Sequence, residues 1–250
     1  MDLPGREVPI LITEELLDRR VDFEKGMSVF PRLTIVLIVS YVVVLFLEFI
    51  GGALADAPSL VRMGALDSTA VDDGEVWRLL SAIFMHAGVL HLVGNALALY
   101  ILGMVCEHAY GAAQLLVLYC ISGLAGSCLS VVGMADGVPS VGASGAIFGL
   151  MGGAASVILR NARELYVRDK RIGWVILLWG LLILAGGFLT PFIDNYAHLG
   201  GLFGGTLAAL FLRPKVVDRS RPLGPGVWIV FALVCGALGA TAFFWLPRLV

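Results

Sequence analysis

The stretch LTIVLIVSYVVVLFLEFIGGAL, from Leu33 to Leu54, contains a single charged side chain, that of Glu48. A helix needs about 20 predominantly apolar residues to cross a hydrocarbon core roughly 30 Å thick, and this stretch meets that length. In lipid, a lone segment can satisfy its backbone hydrogen bonds only as a helix. The stretch therefore predicts a membrane-spanning helix, and Glu48, near the end of that span, is interpreted as solvated or interfacial.

Six further apolar stretches follow, and the composition as a whole is that of a membrane protein. Hydrophobic residues make up 59% of the 250 residues, charged residues make up 14%, and the mean hydropathy is +0.92. Soluble domains average about 25% charged residues, so a single water-soluble core cannot bury this much apolar surface. The later predicted spans are Phe84–Cys106, Gln114–Gly133, Ser144–Leu159, Ile172–Leu189, Asn195–Leu212 and Val227–Leu246. We predict an all-α polytopic membrane protein with seven transmembrane helices.

Basic residues are concentrated in three segments: before the first span, at 160–171 and at 213–221. The segment between the first two spans is mostly acidic. The positive-inside rule then predicts a cytoplasmic N-terminal segment, 1–31, a basic cytoplasmic linker, 213–226, and a C-terminus on the outside. Because the basic segments are topology signals beside spans, they indicate no nucleic-acid role. The compact chain and the lack of a targeting segment favour a bacterial inner membrane.

Polar side chains within the spans are costly in lipid and indicate function. His86, His91 and Asn95 begin the second span, Ser144 begins the fourth, and His198 lies near the start of the sixth. These three spans share one predicted direction, from outside to inside. Their polar groups are therefore expected to meet at one shallow depth near the outer surface.

Glycine rows would let the helices that carry these groups approach closely. Gly145, Gly149 and Gly153 repeat on the fourth span, and Gly201 and Gly205 repeat on the sixth. Taken alone, such rows only indicate helix packing. Beside Ser144 and His198, they favour the separation of about 2.6–3.2 Å that a serine and a histidine need to share a proton.

The chemistry best suited to these groups is nucleophilic catalysis. Ser144 would be activated by His198 as the general base, and His91, Asn95 and the backbone N–H of Ser144 are plausible donors to an oxyanion. Asp194 precedes His198 by four residues and could orient its imidazole, but it more readily caps the sixth span. A Ser–His dyad is therefore the working mechanism.

A metal site is the alternative use of the histidines. His86, His91 and His198 could be ligands, but His86 and His91 are five residues apart, which is a poor spacing for one helical face, and no Cys or Glu joins them. We expect no metal and no cofactor. The four cysteines lack metal-ligand spacing and are interpreted as small apolar side chains without a disulfide.

Several short motifs occur in a fixed order along the chain. They are Trp77-Arg78, His86-xxxx-His91-xxx-Asn95, Glu107-xxx-Gly111, Gly142-Ala143-Ser144-Gly145 and Ala197-His198-xx-Gly201-xxx-Gly205. Each motif is weak alone, but together and in this order they are highly specific. From about Leu33 to Leu212 the chain resembles the rhomboid intramembrane serine proteases.

The resemblance implies roles for these positions. Ser144 would be the nucleophile, His198 the base, and His91, Asn95 and the Ser144 amide the oxyanion hole. His86 and Gly142 would support the site, and Phe148 would stack on the catalytic imidazole, where family members often have a tyrosine. The remaining motif residues would be structural: Trp77, Arg78, Glu107, Gly111, Gly201 and Gly205. Trp77 and Arg78 would lie in a large loop that rests partly in the membrane interface.

The resemblance also implies an architecture and a class of substrate. The fold would be a rhomboid-like six-helix catalytic core, 32–212, followed by one added helix in 227–250. Substrates would be single-span membrane proteins, cut near the outer end of the span. The fifth span would be the gate for their lateral entry, with Gly186, Gly187 and Thr190-Pro191 loosening its outer end.

Three other functions remain open. A noncatalytic rhomboid-like protein would bind client spans without cutting them. A transporter would place polar groups along a path through the membrane, but here they cluster at one end. A scaffold built on glycine rows would leave His91, Asn95 and His198 unexplained.

Overall fold

A computed structural model describes residues 20–134, 138–168, 170–190, 193–218 and 223–248. The first 19 residues of the predicted cytoplasmic segment, positions 219–222 of the predicted linker, and Pro191 of the predicted gate lie outside the described residues. The other residues form an almost entirely helical protein.

The helices are, in chain order, α1 (Arg32–Ile50), α2 (Ala57–Arg62), α3 (Ser68–Asp72), α4 (Arg78–Ser81), α5 (Val89–Tyr110), α6 (Ala112–Gly133), α7 (Ser144–Arg160), α8 (Lys170–Leu189), α9 (Asn195–Ala209) and α10 (Pro225–Trp245). Short 3₁₀ turns cover Ala53–Ala55, Ala82–Phe84 and Leu246–Arg248. Two short strands, β1 (Val21–Asp22) and β2 (Leu165–Tyr166), pair in parallel, with Val21 opposite Leu165.

Four helices in the described part, α1, α5, α6 and the helical region Pro225–Arg248, are long and apolar enough to cross a membrane. The protein is therefore an integral, multi-pass membrane protein. The predicted total of seven spans exceeds these four and stays a prediction. Two of the predicted spans correspond to α7 and α9, which have only 17 and 15 residues. Both are shorter than the roughly 20 residues that cross a full hydrocarbon core.

The second predicted span starts later than expected. A helix from Phe84 was predicted, but Ala82–Phe84 is a 3₁₀ turn and α5 begins at Val89. Gly88, with φ of +136°, separates the two elements because a left-handed backbone cannot continue a right-handed helix. His86 therefore precedes the helix, and the prediction that it shares a helix with His91 and Asn95 is wrong.

Helices α6, α7 and α9 pack against one another at the centre of the protein. Their backbones nearly touch: a Cβ on Gly201 would lie 1.9 Å from the carbonyl oxygen of Gly145, and a Cβ on Gly205 would lie 2.4 Å from Cα of Gly149. The predicted glycine rows thus bring the start of α7 beside the start of α9.

Arg78 organises the segment between α1 and α5. Its guanidinium donates to the carbonyl oxygens of Val61 (2.6 Å) and Ala65 (2.8 Å) and pairs with Glu75. Both Arg78 and Trp77 are buried, at 4% and 9% exposure. Both side chains point into the protein, and Arg78 satisfies its donors on protein carbonyls. That the loop carrying them rests partly in the membrane interface stays a prediction.

Glu107 joins the end of α5 to the start of α1. Its carboxylate accepts hydrogen bonds from the backbone N–H groups of Leu33 and Thr34, both at 3.0 Å, and from the Thr34 hydroxyl at 2.8 Å. It thereby satisfies N–H groups that a helix start leaves without partners. Gly111 then makes the turn into α6 with φ of +80°, a conformation that favours glycine.

Candidate active site

Ser144 and His198 form a hydrogen bond between two helices. The Ser144 Oγ lies 2.8 Å from the His198 Nε2, although the residues are 54 positions apart in the chain. Ser144 is the first residue of α7, and His198 lies in the first turn of α9. This distance is within the range that lets a neutral imidazole accept the hydroxyl proton.

Aromatic stacking orients the imidazole. The Phe148 ring lies parallel to the His198 ring, with centroids 4.5 Å apart and an interplanar angle of 16°. The Trp179 ring on α8 is also stacked with Phe148, with centroids 6.4 Å apart and an interplanar angle of 24°. The sequence had suggested Phe148, but Trp179 was missed, because one tryptophan in an apolar helix gives no signal of its partner.

Asp194 does not contact the imidazole by a hydrogen bond. Its Oδ1 accepts from the backbone N–H of Ala197 (2.9 Å), while its Oδ2 accepts from the hydroxyls of Ser130 (2.5 Å) and Ser140 (2.7 Å). The carboxylate is thus the N-cap of α9 and a link to two neighbouring segments. Among the described residues, the Nδ1 of His198 has no hydrogen-bond partner.

His91 and Asn95 flank the backbone that leads to Ser144. Gly142 has φ of +134°, and a Cβ there would lie 2.7 Å from Cε1 and 2.9 Å from Nε2 of His91. The same Cβ would lie 3.7 Å from Nδ2 of Asn95, which is buried and has no partner within the described residues. Two side-chain nitrogens therefore lie close to the start of α7, and glycine leaves room for them.

His86 lies behind His91 in a buried polar cluster. The His86 ring is 5.3 Å from the His91 ring and 4.9 Å from the Tyr41 ring, and its backbone N–H donates to both carboxylate oxygens of Glu48 at 3.2 and 3.3 Å. We had interpreted Glu48 as solvated or interfacial, but it is fully buried. Its partner is a main-chain N–H, which sequence patterns do not reveal.

A small cavity of about 10 Å³ lies beside the loop that leads to Ser144. Its walls include Ser127, Ser140, Gly142, Gly145 and Ala197. That space suits about one water molecule, and Ser127 and Ser140 are the polar side chains among its mostly apolar walls.

The described residues include no group of three His, Cys, Asp or Glu side chains that could hold a metal ion. Cys106 and Cys120 are buried as free thiols, and Cys128 and Cys235 are exposed as free thiols. At the start of α7 a serine hydroxyl, an imidazole and two further side-chain nitrogens lie close together, and acyl transfer requires a nucleophile, a base and hydrogen-bond donors of these types.

Comparison with known proteins links this geometry to one family. A family model described as the Rhomboid domain matches residues 73–215. Rhomboid protease GluP of Bacillus subtilis (strain 168) is 39% identical over 209 residues, which cover 83% of this chain and 40% of that protein. RHOMBOID-like protein 5 of Arabidopsis thaliana is 41% identical over 161 residues, covering 63% of this chain and 52% of that protein.

A further Arabidopsis thaliana relative, named Inactive RHOMBOID-like protein 8, is 32% identical over 167 residues, covering 66% of this chain and 47% of that protein. This chain therefore spans about half, or less, of the length of these curated relatives.

Proposed function

The chain belongs to the rhomboid family, and from that premise we propose that it is an intramembrane serine endopeptidase with Ser144 as nucleophile and His198 as general base. The observation that carries the proposal is the 2.8 Å hydrogen bond between the Ser144 Oγ and the His198 Nε2. The name of the Bacillus relative, a rhomboid protease, supports the same activity.

The proposed reaction follows from these contacts. The His198 Nε2 takes the Ser144 proton while Oγ attacks the scissile carbonyl carbon, and the negative charge develops on the carbonyl oxygen. His91, Asn95 and the Ser144 N–H donate to that oxygen. The imidazolium then gives its proton to the leaving amine, and an acyl-enzyme remains. Water, deprotonated by His198, hydrolyses the ester and restores the serine.

We propose that the substrates are single-span membrane proteins, cut near the outer end of the span. A carbonyl inside a hydrogen-bonded helix is shielded from attack, and hydrolysis requires water. The position of Ser144 at the start of a helix, beside the loop that carries Gly142, supports this class. The protein would cut the substrate at the point where the substrate chain leaves its transmembrane helix.

Entry between α5 and α8 is the proposed route for such a segment. Helix α8 contacts the site through Trp179, and its far end meets α9 where the Asn195 amide donates to the Leu184 carbonyl oxygen at 3.0 Å. Leu178, Leu181 and Leu182 are more than half exposed, so this part of α8 makes few contacts with the described rest of the protein. A helix with so few contacts can move at a low energetic cost.

The test is cleavage of a single-span substrate in liposomes by wild type, Ser144→Ala and His198→Ala. We expect cleavage by the wild type and a loss of several orders of magnitude in both variants, because serine and histidine act as one unit. Ser156→Ala, a buried serine elsewhere on α7, is the matched control and should keep activity. Equal cleavage by wild type and both dyad variants would refute the assignment.

The second candidate is a noncatalytic protein that binds client spans, and the relative named inactive is the observation that favours it. A fluorophosphonate probe separates the two functions, because it reacts with an activated serine without any substrate. Labelling that disappears in Ser144→Ala supports the peptidase. An unlabelled wild type that still binds single-span proteins supports the binder.

A further inference from the structure

The end of α10 contacts the protein more closely than the rest of that helix. Only 6% of the apolar window in Pro225–Arg248 is buried, yet Trp245 is just 7% exposed. Its indole Nε1 donates to the carbonyl oxygen of Met63 at 2.6 Å, across 182 positions of the chain. A buried tryptophan with its N–H satisfied is a strong packing contact.

Gly64 makes room for that indole. It has φ of +114°, and a Cβ there would lie 2.6 Å from the Trp245 Nε1 and 3.0 Å from the Trp77 ring. Trp245 shares a hydrophobic cluster with Met63, Ala65 and Trp77. The backbone at 63–65 is thus enclosed between two tryptophans.

Arg248 adds a polar contact just beyond the helix. Its Nη2 lies 2.6 Å from the Glu75 Oε1, and its guanidinium stacks 4.7 Å from the centroid of Trp77. Arg78 stacks on the same ring at 4.8 Å. The two guanidiniums, the indole and Glu75 join the end of α10 to the start of α4.

The segment beneath Trp245 leads directly to the candidate active site. Leu66 and Ser140 form an antiparallel bridge, with the Leu66 N–H donating to Ser140 O at 3.0 Å and the Ser140 N–H donating to Leu66 O at 2.9 Å. Val141 packs against the Trp245 cluster, and the next residue, Gly142, donates its N–H to Ala82 O at 3.0 Å. Ser144 follows two positions later.

We propose that Trp245 and Arg248 are positioning residues for Ser144. They hold 63–66 in place, and the Leu66–Ser140 bridge then holds the loop that carries Gly142 and Ser144. The inference rests on the proposed function for its catalytic consequence, and it assigns to α10 a role that the sequence left without one. The reaction needs this loop in one position, because small displacements of a nucleophile are costly.

The experiment compares Trp245→Ala and Arg248→Gln with Trp228→Ala. Trp228 is the matched control because it lies on the same helix and is 50% exposed. Hydrogen exchange at the Leu66 and Ser140 amides reports on the bridge without requiring activity. The fluorophosphonate labelling rate, kcat and KM report on the site.

We expect Trp245→Ala to speed exchange at both amides and to lower kcat and the labelling rate on the order of tenfold, with KM unchanged. Arg248→Gln should speed amide exchange and lower kcat and the labelling rate by roughly twofold to threefold. The effect is smaller because the partners of Arg248 are partly exposed. Trp228→Ala should change neither exchange nor rate.

Unchanged exchange at Leu66 and Ser140 in Trp245→Ala overturns the inference, even if the wild type proves inactive. Faster exchange with unchanged labelling also overturns it, since the bridge would then not position Ser144. If Trp245→Ala does not fold, Arg248→Gln decides by the same two readouts. A wild type that neither cuts nor labels would contradict the proposed function alone.

Discussion

At the scale of the residue, the site orients its imidazole by stacking and not by a carboxylate. The His198 Nδ1 has no hydrogen-bond partner among the described residues, while Phe148 lies flat against the ring at 4.5 Å. Asp194, which a three-residue mechanism would place at Nδ1, instead accepts from Ser130, Ser140 and the Ala197 N–H. Phe148 therefore orients the His198 ring, and Asp194 caps the helix that carries it.

Phe148→Leu tests the stacking. Aromatic pairs contribute about 0.5–1.5 kcal/mol beyond the area that they bury, which corresponds to a loss in kcat of roughly twofold to tenfold if the imidazole loosens. Phe148→Tyr should retain activity, and Phe188→Leu, at a position 80% exposed on α8, is the matched control. Peptidase kinetics in liposomes would measure the effect, and equal kcat for Phe148→Leu and wild type contradicts it.

Asp194→Asn and Asp194→Ala test the role of the carboxylate. We expect Asp194→Ala to lose about 0.5–2 kcal/mol of stability with the N-cap of α9. Asp194→Asn keeps an acceptor for the Ala197 N–H and should lose less. Replacing the acid of a serine-protease triad by its amide costs on the order of 10⁴ in kcat, so a much smaller loss in Asp194→Asn indicates a dyad. Thermal denaturation and kcat together separate the two roles.

At the scale of the element, backbone contact between α7 and α9 creates the site. Gly145 and Gly149 on α7 face Gly201 and Gly205 on α9, and any Cβ at the two α9 positions would overlap the α7 backbone. Helices this close keep the Ser144 Oγ and the His198 Nε2 within hydrogen-bond distance. Under the proposed function, the glycines would serve catalysis through geometry and would take no part in the chemistry.

Gly201→Ala should separate the two helices. A Cβ at 1.9 Å from the Gly145 carbonyl oxygen forces a backbone shift, which typically costs about 1–3 kcal/mol and here also lengthens the dyad. Gly236→Ala, on α10 with nothing within 4 Å, is the matched control and should leave stability equal or higher. Thermal denaturation in detergent and fluorophosphonate labelling measure both effects. A Gly201→Ala protein that labels as fast as wild type contradicts the prediction.

At the scale of the whole molecule, Arg160 of the basic segment 160–171 and the candidate site lie at opposite ends of α7 and α9. Arg160 donates to the Ala209 and Leu210 carbonyl oxygens at the end of α9, far along the helix from His198. Arg248 reaches Glu75 in the α3–α4 region, at the end that holds the start of α7. From this polarity and the positive-inside rule, we predict that the site and the end of α10 lie outside the cytoplasm.

Single-cysteine labelling in intact cells checks that orientation. We expect Asp73→Cys, before α4, to react with a membrane-impermeant maleimide from the outside. Lys25→Cys, before α1, should react only after the cells are permeabilised, and the wild type measures background labelling of the native cysteines. If Lys25→Cys is labelled in intact cells and Asp73→Cys is not, the predicted topology is wrong.

Much of the protein could be predicted from local sequence because the signals are local. The tendency of a run such as Leu33–Leu54 to enter a membrane depends only on its own residues. Ser144 and His198 can be recognised because polar side chains are costly in an apolar helix. The predicted start of α5 failed at His86 because Gly88 interrupts a run that hydropathy alone treats as continuous. Glu48 was misjudged because its partner, the His86 N–H, belongs to another element.

The sequence by itself determined the membrane class, the apolar helices, the candidate dyad and the residues around it. Only the tertiary structure decided that Asp194 caps α9, that Trp179 completes the stack on Phe148, and that Trp245 contacts the Met63 segment. The physical reason is one of range. Hydropathy and periodicity depend on neighbours within a few turns, whereas a hydrogen bond between residues 54 or 182 positions apart depends on how whole helices pack.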